Sequence, residues 1–219
     1  MFDFVKEHYP NAFTLFKSLP WPILRADLIR YMVVEAFGGV YADMDVQKLK
    51  GYDKWVPSYA AKFEDHRNDH IELILGIEMD SIGKLNWQER YSRELQFCQW
   101  TFASRSHHPI LLSVIRSSLA KLQSQNMSTI TRSQYAHFVM ETTGPGIWTD
   151  EILNYLKRTA NKNFHEFKGM SYFKLIEDIL ILSMTAFSPG VEHSDIGSCN
   201  DPRALVQHFF RGSWKSQKT

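Results

Sequence analysis

The stretch "EAFGGVYADMDV" at 35–46 constrains this chain more than any other. A run with helical spacing, "PILRADLIRYMVVEAF" (22–37), meets two glycines and passes at once into the short β-branched and aromatic segment "GVYAD". Ile23, Leu24, Leu28, Tyr31, Met32 and the apolar residues of 34–37 give the helix a broad apolar face. Pro22 suits its first turn and Gly38 its C-cap. The strand that follows ends in two carboxylates, Asp43 and Asp45, one residue apart.

The same alternation runs through the rest of the chain. Residues 3–17 read as a helix with Phe4, Phe13 and Phe16 on one side, stopped by Pro20 and Pro22. "IELILGIEMD" (71–80) reads as a buried strand, and "QFCQWTFAS" (96–104) as either a strand or the start of a helix. A helix is expected from Pro109 to about Gln123, and a Gly/Pro loop leads into another at "TGPGIWTDEILNYLKR". "ILILSMTAFSPG" reads as a buried strand closed by a Pro-Gly turn. Interspersed helices and strands make the class α/β, expected here as a single domain over residues 1–219.

Composition removes several functions. The 25 basic and 24 acidic residues leave a net charge of +1, which gives no electrostatic case for nucleic acid or an anionic membrane surface. No apolar run reaches the length of a membrane span, and "MFDFVKEHYPNAF" lacks the pattern of a signal peptide, so a soluble chain is expected. Cys98 and Cys199 read as free thiols or at most one bridge. "NMS" at Asn126 is a glycosylation tripeptide that matters only in a secretory compartment. His107 and His108, before Pro109, read as surface residues at a helix start, and His193 as a loop residue without a role.

In an extended segment, residues i and i+2 project to one face, so Asp43 and Asp45 would bring their oxygens together while Met44 points away. Two such carboxylates raise one another's pKa unless a cation lies between them. Oxygen ligation suits Mg²⁺ or Mn²⁺, which usually also hold substrate phosphates. A solvated acidic turn is the structural alternative. An EF-hand starting at Asp43 fails, because its sixth and twelfth positions are Lys48 and Lys54. A haloacid-dehalogenase-type phosphatase also carries D-x-D after a strand, but Gln47 stands where Thr or Val is expected.

The wider context decides between these. "LRADLIRYMVVEAFGGVYADMDV" resembles the sugar-binding region of glycosyltransferase family 32. "GIEMD" followed by "WQERYSRELQFCQWTFASRSHHPIL", then "TGPGIWTDEILNYL" and "AFSPGVEHS…DPRALVQHFFRGSWK", resemble the later blocks of the fungal initiation-specific α-1,6-mannosyltransferases, in the same order. The resemblance implies a GT-A type fold, with a mixed central sheet flanked by helices. It also implies retaining transfer of mannose from GDP-mannose to a protein N-glycan, a Mn²⁺ (or Mg²⁺) cofactor, and a location in the Golgi lumen.

By that likeness Asp43 and Asp45 hold the metal and the donor diphosphate, and His208 in "VQHFF" is a third ligand. Asp27 and Arg30 match donor-facing positions, and their i, i+3 spacing puts both on one helix face. An intrahelical ion pair is the plainer reading. Glu78 ends a buried strand, where α/β folds tend to place ligand-binding groups. Gln99, Trp100, Gly144, Gly146 and Trp148 match family blocks and are candidates for donor or acceptor binding, and Trp214 would cover the donor by analogy. Each tryptophan could instead pack in the core.

Family members begin with a cytoplasmic tail, a membrane anchor and an early strand region that helps bind the nucleotide. Only about 20 residues precede the R-A-D helix here, so an N-terminally shortened domain is expected, with any membrane attachment through an anchor absent from this chain. A non-catalytic paralogue or fragment is the second reading. A mannosyltransferase acting on inositol-phosphoceramide is a third.

Overall fold

The computed structural model describes residues 1–56, 70–81, 86–190 and 197–212. Two short helices, α1 (Phe2–His8) and α2 (Pro10–Ser18), precede the long α3 (Pro22–Phe37). The single helix expected over 3–17 is thus broken. Pro10 opens α2 and has no N–H with which to continue α1, so the chain turns at Tyr9. α3 starts and stops as its sequence requires. Pro22 lies in its first turn and Gly38 caps it at φ +68°, where a Cβ would stand 2.8 Å from the Ser106 nitrogen.

β1 (Gly39–Ala42) follows at once, then a turn and β2 (Val46–Lys48). The buried strand β3 spans Leu73–Asp80. The ambiguous 96–104 segment resolves into two strands, β4 (Leu95–Phe97) and β5 (Thr101–Ser104). Helices α4 (Pro109–Ser124), α5 (Arg132–Thr142) and α6 (Pro145–Ala160) come next, followed by strands β6 (Lys174–Ile176) and β7 (Ile179–Leu182). The expected Pro-Gly turn after β7 is preceded by one extra helical turn, α7 (Met184–Phe187). β8 (Val206–His208) closes the described chain.

The main sheet has the order β1-β5-β3-β7-β6, with β4 also on β3. It is mixed: β3 and β7 run parallel, and β1–β5, β3–β5, β3–β4 and β6–β7 antiparallel. This is the mixed, helix-flanked sheet that a GT-A type domain requires. β7 is buried on both faces and β3 nearly so over 73–77, as the apolar runs there demand, before Glu78 and Asp80 end β3 in a more open setting. Leu73, Leu75, Ile77, Ile179 and Ile181 face the helical core with Leu28, Tyr31, Val114 and Ile152. Leu180 and Leu182 face a second cluster holding Trp55, Trp100, Phe187 and Val206. β4 and β5 lie in succession along the same side of β3, interrupted at 98–100. A separate two-stranded ladder joins β2 to β8 in the register Val46↔His208. No helix among the described residues is long and apolar enough to cross a membrane.

Candidate active site

The acid pair lies between β1 and β2, but not in extended chain. The Val46 N–H donates to the Asp43 carbonyl at 3.0 Å, so residues 43–46 form a tight turn. Met44 projects fully into solvent from this turn, as alternation predicts. The two carboxylates still converge. Asp43, Asp45 and His208 offer ligand atoms that all lie within 4.8 Å of one another. The antiparallel β2–β8 register delivers His208 across a sequence separation of 163 residues, with its Nε2 3.1 Å from Asp45 Oδ1. β8 also ties its own end to the turn, through Phe209 N–H to the Asp45 carbonyl and Arg211 N–H to Asp45 Oδ2.

The electrostatics fit a cation. Burial works against ionisation of Asp45, but the Arg211 N–H and His208 outweigh it and hold the carboxyl below its usual range. Burial lowers the His208 pKa against the pull of Asp45 and Asp43, so the imidazole is neutral at neutral pH. Without a cation Nε2, facing the Asp45 carboxylate, carries the ring proton; its lone pair would meet a cation in the other tautomer, with the proton on the unpartnered Nδ1. His208 Nδ1 is buried without a hydrogen-bond partner, which leaves Nε2 as the nitrogen engaged at the site. Two carboxylates and a neutral imidazole within ligand distance form a donor set suited to a divalent metal.

Asp27 and Arg30 stand behind the turn rather than at its surface. They are 3% and 5% exposed, and Arg30 Nη2 lies 2.8 Å from Asp27 Oδ1 and 3.5 Å from Asp43 Oδ1. Arg30 Nη1 donates to the Gln99 carbonyl at 3.2 Å. Burial pushes the Asp27 carboxyl up to about 6, against Arg30 and the Thr143 hydroxyl, which donates to Asp27 Oδ2 at 2.9 Å. Both readings of this pair meet here: it is an intrahelical ion pair, and its arginine also reaches a metal-site carboxylate.

Other sequence candidates separate cleanly. Gln99 is buried, its amide donating to the Thr143 carbonyl at 2.8 Å. Trp148 is fully buried, stacked on Tyr31 with its indole N–H donating to the Cys98 carbonyl, so it offers no ring to a sugar. Trp100 is 5% exposed and its indole N–H donates to Glu78 Oε1 at 3.0 Å, which also removes it as a sugar platform. Glu78 is half-buried and accepts from Gln96 Nε2 through its other oxygen. Gly144 and Gly146 permit close packing: added Cβ atoms would meet Met140 Cα at 2.7 Å and the Met140 carbonyl at 2.9 Å. That tight α5–α6 corner is what carries Thr143 onto Asp27. Trp214 and His193 lie outside the described residues.

Two participants were not singled out from sequence. The Tyr41 hydroxyl donates to Asp43 Oδ1 at 2.6 Å, and its ring lies 5.0 Å from the Arg30 guanidinium. Alternation along β1 places Tyr41 on the face of Asp43, so a signal for it existed. Thr143, 116 residues from its partner Asp27, left none.

His108 corrects an expectation. Read as a surface residue, it is buried, because its Nδ1 accepts the Ile110 N–H at 3.2 Å and so caps α4 from inside. Its ligand atoms also lie within 4.8 Å of those of Glu72 and Asp178. With Nδ1 occupied as an acceptor, the ring proton sits on Nε2, facing Asp178 Oδ2 at 3.3 Å. That nitrogen has no lone pair for a metal, so the cluster is a helix start. Cys98 and Cys199 are both free thiols.

An α/β domain that presents a D-x-D turn and a converging histidine at the edge of a mixed sheet has the layout of a sugar-transferring enzyme. Residues 1–62 match the family described as the glycosyltransferase sugar-binding region containing DXD motif, and the chain belongs to these DXD glycosyltransferases. It is 42% identical to the initiation-specific alpha-1,6-mannosyltransferase of Schizosaccharomyces pombe, over 91% of this chain and 49% of that protein. It is 32% identical to the protein of the same name in Candida albicans, over 94% of this chain and 57% of that one. Inositol phosphoceramide mannosyltransferase 3 of S. pombe is 37% identical over only 26% of this chain and 17% of its own length. The chain thus spans about half the length of the curated relatives that it matches over most of its own.

Proposed function

We propose that residues 1–219 form one metal-dependent mannosyltransferase unit that takes mannose from GDP-mannose and passes it to a protein N-glycan in α-1,6 linkage. The observation that carries the reading is the convergence of His208 from β8 on the Asp43–Asp45 turn, which makes a complete donor set from two distant segments. Among the candidate ions Mn²⁺ suits the set best, since an imidazole joins the carboxylates. When bound, such a cation supplies positive charge to a diphosphate leaving group.

The chain's own residues do the rest. Asp43 is oriented from two sides, by the Tyr41 hydroxyl and by Arg30, and Asp45 is fixed by the Arg211 N–H. These contacts hold the two carboxylates in one arrangement before any ligand arrives, which is where positioning catalysis gains its advantage. In the transfer, the bond from the anomeric carbon to phosphate breaks and the acceptor oxygen bonds to that carbon on the same face. The hydroxyl proton leaves with the departing diphosphate. Glu78 stays with the acceptor side of this reading, and Trp214 with the donor side. Placement in the Golgi lumen goes with the N-glycan acceptor.

The test is transfer itself. The chain is incubated with GDP-mannose, Mn²⁺ and a high-mannose N-glycan, with inositol phosphoceramide as the alternative acceptor, and products are read by mass. One added hexose on the glycan, lost on chelation, is the expected result. Mannosylation of the lipid alone would move the acceptor assignment. Donor binding without transfer to either would identify a non-catalytic member.

A further inference from the structure

We infer that Trp100 is the positioning residue of the metal triad, steering His208 with its ring while its backbone fixes Asp43. The inference rests on the metal-site reading above. Three observations converge on this one side chain. The Trp100 carbonyl accepts the Asp43 N–H at 2.9 Å, anchoring the start of the D-x-D turn. The indole lies against the His208 ring, with centroids 4.3 Å apart and planes at 33°. The indole N–H is held by Glu78 Oε1, whose partner oxygen takes Gln96 Nε2 at 2.8 Å, while Gln96 Oε1 accepts the Ser92 N–H at 2.9 Å.

Trp100 lies at the junction of two ladders, where the strand along β3 is interrupted at 98–100 and the β1–β5 pairing ends. β4 and β5 would form a single strand along β3 if they ran on. Instead the Cys98 N–H donates to the Gly76 carbonyl and the next two residues turn out of the ladder. Beyond the break the Gln99 carbonyl accepts from Arg30, while the Trp100 carbonyl takes the Asp43 N–H as the next rung of the β1–β5 register after Ala42↔Thr101.

His208 needs such a support. It sits at the end of a three-residue ladder, and its Nδ1 has no hydrogen-bond partner to fix the ring. Metal-ligating histidines are commonly oriented by a hydrogen bond from the second ring nitrogen. Here aromatic contact takes that place: Trp100 at 4.3 Å and Phe210 at 4.0 Å, with the indole anchored through Glu78 to β3. Holding the ring in advance removes the rotamer entropy that metal binding would otherwise cost.

The test is a double-mutant cycle read by Mn²⁺ affinity, with free Mn²⁺ followed by electron paramagnetic resonance and no substrate present. Replacing a support of this kind typically lowers metal affinity about 10–100-fold, and Trp100→Leu is expected to fall in that range. Trp100→Phe, which keeps a ring against His208, should retain most of the affinity. Of the three ligands the indole touches His208, since any residue keeps the backbone carbonyl that meets Asp43. In a His208→Ala background Trp100→Leu should therefore have little further effect.

A folded Trp100→Leu variant that binds Mn²⁺ like the parent overturns the inference. So does a loss of equal size with and without His208. Should Trp100→Leu fail to fold, Glu78→Leu, which releases the indole N–H, carries the same cycle with the same expected outcomes. A parent that binds no Mn²⁺ overturns the metal-site reading and this inference with it. A parent weakened by His208→Ala but by neither support variant overturns this inference alone.

Discussion

Replacing Asp27 with alanine perturbs the site from behind, and its cost follows from the charges. Arg30 is 5% exposed, with Asp27 Oδ1 at 2.8 Å and Asp43 Oδ1 at 3.5 Å. At an effective dielectric of about 20, those contacts carry gross attractions of about 6 and about 5 kcal/mol. Removing Asp27 leaves the buried guanidinium with less than half of its compensation. Breaking a buried pair from one side costs about 3–5 kcal/mol. Because Asp43 and the Gln99 carbonyl still engage Arg30, the expected loss is near the lower end, about 3 kcal/mol. Urea unfolding near neutral pH measures it as a shift in midpoint at unchanged slope. The same substitution turns the whole charge of Arg30 onto Asp43, so Mn²⁺ affinity should fall together with stability. Exchanging both partners, Asp27→Leu with Arg30→Met, should recover much of the stability, since apolar replacement of a buried pair is often neutral. An Asp27→Ala protein within about 1 kcal/mol of the parent, well below the cost of breaking a buried pair, would refute the reasoning, because Arg30 would then not depend on Asp27 for its charge.

Asp43→Asn and Asp45→Asn should each abolish Mn²⁺-dependent donor binding while leaving the circular dichroism spectrum that of the parent. Asp43→Asn should also lower the urea midpoint, since Arg30 then keeps Asp27 as its charged partner but loses Asp43. His208→Ala should lower Mn²⁺ affinity by about tenfold or more, seen in the same titration. Burial holds His108 below its ordinary value of 6.5 despite Asp178, so the native state binds fewer protons there than the unfolded one. Stability from this residue is therefore complete above about 6.5 and lost as pH falls below it, because protonation at Nδ1 expels the Ile110 cap bond. His108→Asn, which keeps a capping side chain, should give a flatter stability–pH profile between neutral and mildly acid conditions. Gly146→Ala would set a Cβ 2.9 Å from Glu141 Oε1, within the clamp that Arg93 makes with Glu141 and Asp150. Overpacking there should cost about 1–3 kcal/mol in urea unfolding.

The elements legible from sequence are those whose signal is local. α3 carries its own start and stop, β3 and β7 carry unbroken apolar runs, and α4 and α6 carry helical periodicity with Pro at the first turn. The acid pair was legible as chemistry but not as geometry. Alternation predicts an extended segment, whereas the β2–β8 ladder draws the chain into a turn at 43–46. What decides that turn lies more than 160 residues away, and no window around Asp43 contains it. The same holds for the 98–100 break, where the Gln99 carbonyl meets Arg30 from 69 residues away, and for His108, whose Nε2 faces the distant Asp178. Trp148 and Trp100 show the limit of residue type as a guide. An aromatic near a site reads equally as platform or core, and only the partners of its N–H separate the two.

Calorimetric titration with GDP-mannose, with and without Mn²⁺ and with UDP-glucose as the control nucleotide sugar, tests the central claim most directly. The account predicts saturable binding of GDP-mannose that requires Mn²⁺ and disappears in Asp45→Asn, with no heat from UDP-glucose. Binding of GDP-mannose that is indifferent to both Mn²⁺ and Asp45, or no binding by the folded parent, would contradict it.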